Sequence, residues 1–261
     1  MTYQTIKADT TGGVTVITLN RPERLNACPP QMADELRDVL TDPKKARCFL
    51  ITGEGRAFCS GADLASRGER QSVSGGRGAY DALSRSYNPL MLQMAECAVP
   101  IVAAVNGPAA GIGCSIALAA DFVLAGSSAF FLQAFVNIGL VPDGGSSWML
   151  PRLIGKARAT EMMLLGERIG AEKAEYWGMI YRAVPDEALL EEAQALATRL
   201  ANGPTLALAQ MRANIWGALD QDFSTALHRE AVAQRAAGDS ADAVEGGMAF
   251  LEKRKPAFQG R

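Results

Sequence analysis

Apolar and polar positions alternate along Val14-Thr15-Val16-Ile17-Thr18-Leu19, the period-two pattern of a half-buried strand. Cys48-Phe49-Leu50-Ile51-Thr52 and Ile101-Val102-Ala103-Ala104-Val105 are continuous apolar runs, which predicts strands buried on both faces. Between the first two, Pro29-Pro30 opens a run in which Met32, Leu36, Val39 and Leu40 recur at helical spacing. Residues 49–64 and 101–118 repeat one plan: strand, glycine turn, then Gly-x-x leading into an apolar helix. A further strand pair, 122–124 and 130–132, precedes the turn Pro142-Asp143-Gly144-Gly145. The expected fold is α/β, a β-β-α unit wound several times into a spiral. Helical patterns dominate after Arg152. Asp186 is expected to cap a helix with the stripe Leu189, Leu190, Ala193, Leu196, Ala197 and Leu200, closed by Asn202-Gly203-Pro204. Three more helical segments follow. The chain thus divides into a spiral core over residues 1–203 and a helical C-terminal region over residues 204–261.

The chain's 261 residues, 48% apolar and 21% charged, are enough for a substantial core and exclude disordered, collagenous and disulfide-scaffold classes. Twenty-six basic and 28 acidic residues leave a charge of −2, so no global basic field draws the protein to nucleic acid or to an anionic membrane. The single histidine, His228, excludes most zinc sites and lies in a helical run where a partly exposed position is expected. Five cysteines without a C-x-x-C pair fit buried free thiols in a reducing compartment. Residues 1–13 lack the apolar stretch of a secretory signal. Residues 97–120 carry no charge, but Pro100, Asn106, Gly107, Pro108, Gly111 and Gly113 break them into strand, turn and helix rather than a membrane span. A soluble, cytoplasmic protein is expected. Residues 65–79, rich in Gly, Ser and Arg, read equally as a mobile lid or a disordered loop.

Between Cys97 and Pro151 only Asp121 and Asp143 are charged. A carboxylate in such an apolar block is costly unless paired, hydrogen-bonded or protonated. For Asp121, between a helix and a strand, the simpler account is a turn aspartate bonded to local amides. Asp143 stands on a glycine turn, where it serves either in an Asx-turn or as a cap for the helix containing Trp148 and Leu150, or as a side chain reaching into a cavity. The turns Ser60-Gly61-Ala62-Asp63-Leu64 and Ala110-Gly111-Ile112-Gly113 offer backbone N–H groups suited to an anionic oxygen. Close backbone packing is the alternative use of those glycines.

The segments Asn20-Arg21-Pro22-Glu23-Arg24-Leu25-Asn26-Ala27, Arg56 to Leu64, Val105-Asn106-Gly107 through Gly113, and Gly139-Leu140-Val141-Pro142-Asp143-Gly144-Gly145, in this order and spacing, resemble the crotonase (enoyl-CoA hydratase/isomerase) superfamily over essentially the whole chain. Tyr87-Asn88-Pro89-Leu90, Trp148 to Arg152 and Trp177 to Ile180 are most similar to its isomerase branch acting on ring-epoxidised phenylacetyl-CoA and on enoyl-CoA double bonds. The resemblance implies a crotonase-like spiral with a helical C-terminal trimerisation region. It implies an oxyanion hole from the Ala62 and Ile112 amides, Asp143 as catalytic acid/base, and coenzyme A contacts from Arg24, Ala27, Ser60, Asp63 and Leu64. Phe250 and Lys253 match positions that reach the coenzyme A of a neighbouring subunit, or else are core and solvated helix end. Where family hydratases carry two glutamates, this chain has Ser115 and Phe135.

The resulting expectation is an acyl-CoA isomerase that acts on a thioester, forms a homotrimer or homohexamer, and uses no metal and no cofactor beyond the coenzyme A of its substrate. The alternatives are an enoyl-CoA hydratase with a non-standard acid arrangement and a non-catalytic binding or scaffolding member.

Overall fold

The computed structural model describes residues 3–43, 45–63 and 75–261. Strands β1 (Ile6–Thr11) and β2 (Val14–Leu19) form an antiparallel hairpin. Strand β2 then pairs in parallel with β3 (Cys48–Gly53), β3 with β4 (Ile101–Val105), β4 with β6 (Phe122–Gly126), and β6 with β9 (Arg182–Val184). A second sheet, ordered β5-β7-β8, joins β5 (Ala109–Ala110), β7 (Phe130–Leu132) and β8 (Ile169–Gly170). Each winding lays one strand in each sheet, as at β4 then β5 and β6 then β7, so the expected spiral is present. Every residue of β3 and β4 is buried, because helices cover the first sheet on both faces.

Helices α1 (Pro30–Thr41), α3 (Asn88–Glu96), α4 (Ile112–Leu118) and α5 (Ser146–Leu165) contribute to the larger core cluster, with Met32, Leu36, Met94 and Leu150 fully buried. On the other face, Val14, Leu50, Val102 and Leu124 meet Leu189, Ala193 and Ala197 of α7 (Leu189–Ala201). Leu190 of the expected stripe points outward, 56% exposed. Asp186 does not cap α7. A 3-10 turn intervenes over Asp186–Ala188, and the Asp186 carboxylate instead accepts the Ser128 amide at 3.0 Å, bracing the β6–β7 turn.

Residues 65–74 of the expected glycine-rich loop lie outside the described residues. Residues 75–79 of that stretch are helical: helix α2 (Gly75–Ala82) runs through a π-helical segment, Leu83–Tyr87, straight into α3. Buried Ser86 and Tyr87 anchor that continuous helix, the Tyr87 hydroxyl donating to the Cys28 carbonyl at 2.7 Å. Once this nucleus is fixed, extending it by a turn toward the glycines is cheap.

The remaining helices are α6 (Ala171–Tyr176), α8 (Thr205–Ala218), α9 (Phe223–Gly238) and α10 (Ala241–Leu251). Asp121 joins the C-terminal helices to the core rather than closing a purely local turn. Its carboxylate accepts the Ile101 amide at 2.7 Å and pairs with Arg212 of α8 at 2.6 Å. The same guanidinium also donates to the carbonyls of Met94 and Cys97. An isolated charge between α4 and β6 is therefore balanced from a helix 91 residues away. Arg47 ties the start of α8 in the same manner, donating to Thr205 Oγ1 at 2.9 Å and to the Phe258 carbonyl at 3.2 Å. Among the described residues no helix is long and apolar enough to cross a membrane. All five cysteines are free and buried, and His228 is exposed on α9.

Candidate active site

One wall of the site is a chain reversal at residues 20–28. Leu25 and Asn26 adopt left-handed backbone, φ 51° and 54°. Fully buried Asn26 supports it by donating to the carbonyls of Glu54 (3.0 Å) and Ala57 (2.8 Å) and accepting the Arg21 amide (2.8 Å). The reversal sets Cys28 beside the second glycine turn. The Cys28 amide donates to the Gly61 carbonyl at 2.8 Å, and the Asp63 amide to the Cys28 carbonyl at 3.0 Å. Ser60 is held by the Leu25 carbonyl at its amide and the Arg24 carbonyl at its hydroxyl. Arg21 closes the wall with an ion pair to Asp63 at 2.7 Å and a bond to the Ala27 carbonyl at 2.7 Å. Four of the five expected coenzyme A contacts, Arg24, Ala27, Ser60 and Asp63, are thus brought together. Leu64 lies outside the described residues. The Asp63 carboxylate is buried against Arg21, so it serves this wall rather than facing a phosphate.

The next wall runs alongside. The Cys59 amide donates to the Pro108 carbonyl at 3.0 Å and the Ala110 amide to the Cys59 carbonyl at 2.9 Å, a parallel bridge between Cys59 and Ala109. Beyond that bridge both backbones turn at a glycine of positive φ, Gly61 and Gly111, with Ala62 and Ile112 next in sequence. The approach is close: a Cβ at Gly111 would lie 3.8 Å from Gly61 Cα. Gly111, at φ +52°, makes the sharp entry into α4 that side chains disfavour. A Cβ at Gly113 would overlap Cys59, so this glycine serves packing, as the alternative reading of the glycine turns allowed. Ile112 is the first residue of α4 and has no intrahelical acceptor for its amide. Among the described residues neither the Ala62 nor the Ile112 amide donates to a backbone carbonyl.

The Asp143 turn forms the third wall. A Cβ at Gly144 would collide with the Ile112 and Ser115 side chains, so the turn rests directly on α4. The N-cap residue of α5 is Gly145 rather than Asp143. Asp143 is half-buried, and its charge acts on the Cys28 thiol beside the second glycine turn. Burial foremost, then Cys59, and also the Asp143 charge push the Cys28 thiol up. Burial likewise lifts Cys59 to about 11 and Cys114 to about 12, so these thiols are protonated packing groups rather than nucleophiles. Phe135, at one of the two positions where family hydratases carry glutamate, lays its ring 3.5 Å from where a Gly111 Cβ would stand. Ser115, at the other, is fully buried beneath the Asp143 turn. Beside the turn lies an apolar cavity of about 430 Å³ lined by Met91, Gly144, Gly145, Trp148, Met149 and Trp216.

Phe250 is 83% exposed and Lys253 is exposed. Helix α10 packs on α9. Sequence reasoning assigned no role to Arg21, Asn26, Gln133, Ser146 or Trp216. Gln133 and Ser146 carried a usable signal, as uncharged polar residues within the apolar block that holds Asp143. Chemically, backbone amides that donate to no carbonyl suit an anionic oxygen, and a carboxylate can carry a proton.

Residues 9–261 match the family described as enoyl-CoA hydratase/isomerase. The chain is 45% identical to a "probable enoyl-CoA hydratase" of Rhodobacter capsulatus over 262 residues, covering 100% of each. It is 44% identical to the 1,2-epoxyphenylacetyl-CoA isomerase of Escherichia coli K12, covering 95% of this chain and 96% of the other. The crystal structure of an enoyl-CoA hydratase from Bacillus anthracis superposes with a TM-score of 0.92 at 32% identity, covering 99% of this chain and 100% of that one. Matched over its length in sequence and in fold, the chain belongs to the enoyl-CoA hydratase/isomerase, or crotonase, family.

Proposed function

We propose that the protein is an acyl-CoA isomerase in which the Ala62 and Ile112 amides hold the thioester oxygen as an enolate. Asp143 removes a proton at one carbon and returns it at another. A 1,3 proton shift needs one such carboxylate, whereas adding water by the family's usual route needs two. The observation that carries the reading is the pair of residues at the two hydratase glutamate positions: Phe135 packed on Gly111, and Ser115 buried under the Asp143 turn. Neither side chain can act as a carboxylate base toward water. The 44% identity to 1,2-epoxyphenylacetyl-CoA isomerase supports a ring-epoxide or 3-enoyl thioester as substrate. Arg24, Ala27, Ser60 and Asp63 then flank the coenzyme A portion, with Phe250 and Lys253 reaching a neighbour's coenzyme A in a cytoplasmic trimer or hexamer.

A hydratase is the second reading, favoured by the 45% identity to a "probable enoyl-CoA hydratase". One assay panel separates the two: purified protein against ring-epoxide, 3-enoyl and 2-enoyl thioesters, with products identified by mass and retention time. A ring-rearranged product or a moved double bond supports isomerisation; added water alone overturns it; silence across the panel indicates a scaffolding member.

A further inference from the structure

Four groups behind the Asp143 turn form one directed chain of hydrogen bonds. Gln133 Nε2 donates to Ser146 Oγ at 2.9 Å, Ser146 Oγ lies 2.8 Å from Ser115 Oγ, and Ser115 Oγ lies 3.1 Å from the Asp143 carbonyl oxygen. Because Gln133 donates at one end and a carbonyl accepts at the other, the direction of the middle proton is set. Ser146 donates to Ser115, and the Ser115 proton goes to the Asp143 carbonyl at 3.1 Å, with the Gly111 carbonyl at 3.4 Å as a weaker second acceptor. Ser115 and Gln133 are 0% exposed and Ser146 is 1% exposed, so no solvent competes for these bonds and the low dielectric strengthens them.

The chain joins three parts of the site. Ser115 stands one helical turn beyond Ile112 on α4, Ser146 opens α5 directly after the Asp143 turn, and Gln133 is two residues from Phe135. We propose that Ser115, Ser146 and Gln133 are positioning residues that lock the Asp143 turn to the helix bearing the Ile112 amide, fixing the carboxylate relative to the oxyanion. This rests on the acid/base reading of Asp143. Ordinary core packing would fill the same space with apolar side chains. Three polar groups placed end to end, at the price of desolvation, instead specify one position of a glycine-rich turn whose backbone is otherwise soft.

The test is a double-mutant cycle on a 3-enoyl-CoA thioester, using Ser115→Ala, Asp143→Asn and both together, with thermal midpoints recorded alongside. Misplacing a reacting group by about an ångström costs up to ~10²-fold, so Ser115→Ala is expected to lower kcat roughly 10- to 100-fold with KM within about twofold. In the Asp143→Asn background the same change should cost less than about twofold, because no proton carrier remains to be misplaced. A loss of equal size in both backgrounds overturns the proposal, as does native kcat for Ser115→Ala or a change confined to KM. Should Ser115→Ala not fold, Ser146→Ala runs through the same cycle; if neither folds, the network is purely structural and the proposal fails. Native turnover by Asp143→Asn alone overturns the acid/base reading and this proposal with it. An impaired Asp143→Asn beside an unimpaired Ser115→Ala overturns this proposal only.

Discussion

Asp143→Asn keeps the shape of the turn residue while removing its ability to carry a proton. If Asp143 is the acid/base, turnover on a 3-enoyl thioester falls by ~10²–10⁴, while binding of the coenzyme A portion, measured by calorimetry, is retained. Near-native isomerisation by this variant would show that the proton moves by another route. The hydratase positions carry a second prediction at this scale. With a buried hydroxyl at Ser115 and an aromatic ring at Phe135, hydration of crotonyl-CoA should be far slower than isomerisation of the best 3-enoyl substrate. Comparable rates would sink the single-carboxylate mechanism. Asn26 matters for another reason: its amide satisfies three backbone groups inside a left-handed bend, so its replacement leaves buried donors and acceptors unpaired.

Helix α8 is fastened to the core by buried charge. Arg212 and Asp121 side chains are 6% and 16% exposed, and removing one partner of a buried pair costs about 3–5 kcal/mol because the other charge is stranded. Arg212→Ala should therefore lower unfolding stability by about that amount, read from denaturant titration. A loss below about 1 kcal/mol would mean that α8 is held by its apolar face alone. The N-terminal hairpin carries a pH-dependent clamp. Partial burial pushes the Glu35 carboxyl up, but bonds from the Thr5 hydroxyl, the Gln4 and Thr5 amides and Gln31 outweigh it and hold the group below its ordinary 4.5. A carboxyl depressed in the folded state stabilises the fold above its unfolded pKa, and that contribution disappears as pH falls through the folded one. The wild-type advantage in thermal midpoint over Glu35→Gln should thus be full above about pH 4.5 and shrink on acidification. An advantage that grows toward low pH would contradict the assignment.

At the scale of the molecule, α8, α9 and α10 leave Ile215, Phe223, Val244 and Phe250 66%, 78%, 65% and 83% exposed. Apolar faces of that extent on consecutive helices are a liability in water unless covered. Sedimentation should accordingly find the active protein as a trimer or hexamer. Truncation after Pro204 should abolish assembly and activity together, because it also removes the Arg212 clamp and the Trp216 wall of the cavity beside Asp143. A strictly monomeric, fully active protein would refute the assembly and leave Phe250 and Lys253 without a coenzyme A to reach.

Local pattern alone determined much of this protein. Alternation at residues 14–19 and the apolar runs at 48–52 and 101–105 specify strands because side-chain period and burial are properties of the segment itself. The Asp143 turn was equally legible, since a charge in an apolar block must be accounted for wherever the block lies. What required the tertiary structure were relations between distant segments. Asp121 reads as a local turn residue until Arg212 arrives from a helix 91 residues on. Asp186 reads as a cap until Ser128, 58 residues earlier, supplies the amide it accepts. The approach of the two glycine turns follows from the bridge between Cys59 and Ala109, and such a pairing is a property of neither segment alone. The bonds joining Ser115, Ser146 and Gln133 needed the fold for the same reason: a polar residue in an apolar block is visible in sequence, but a hydroxyl or amide declares no partner until the fold places one within 3 Å.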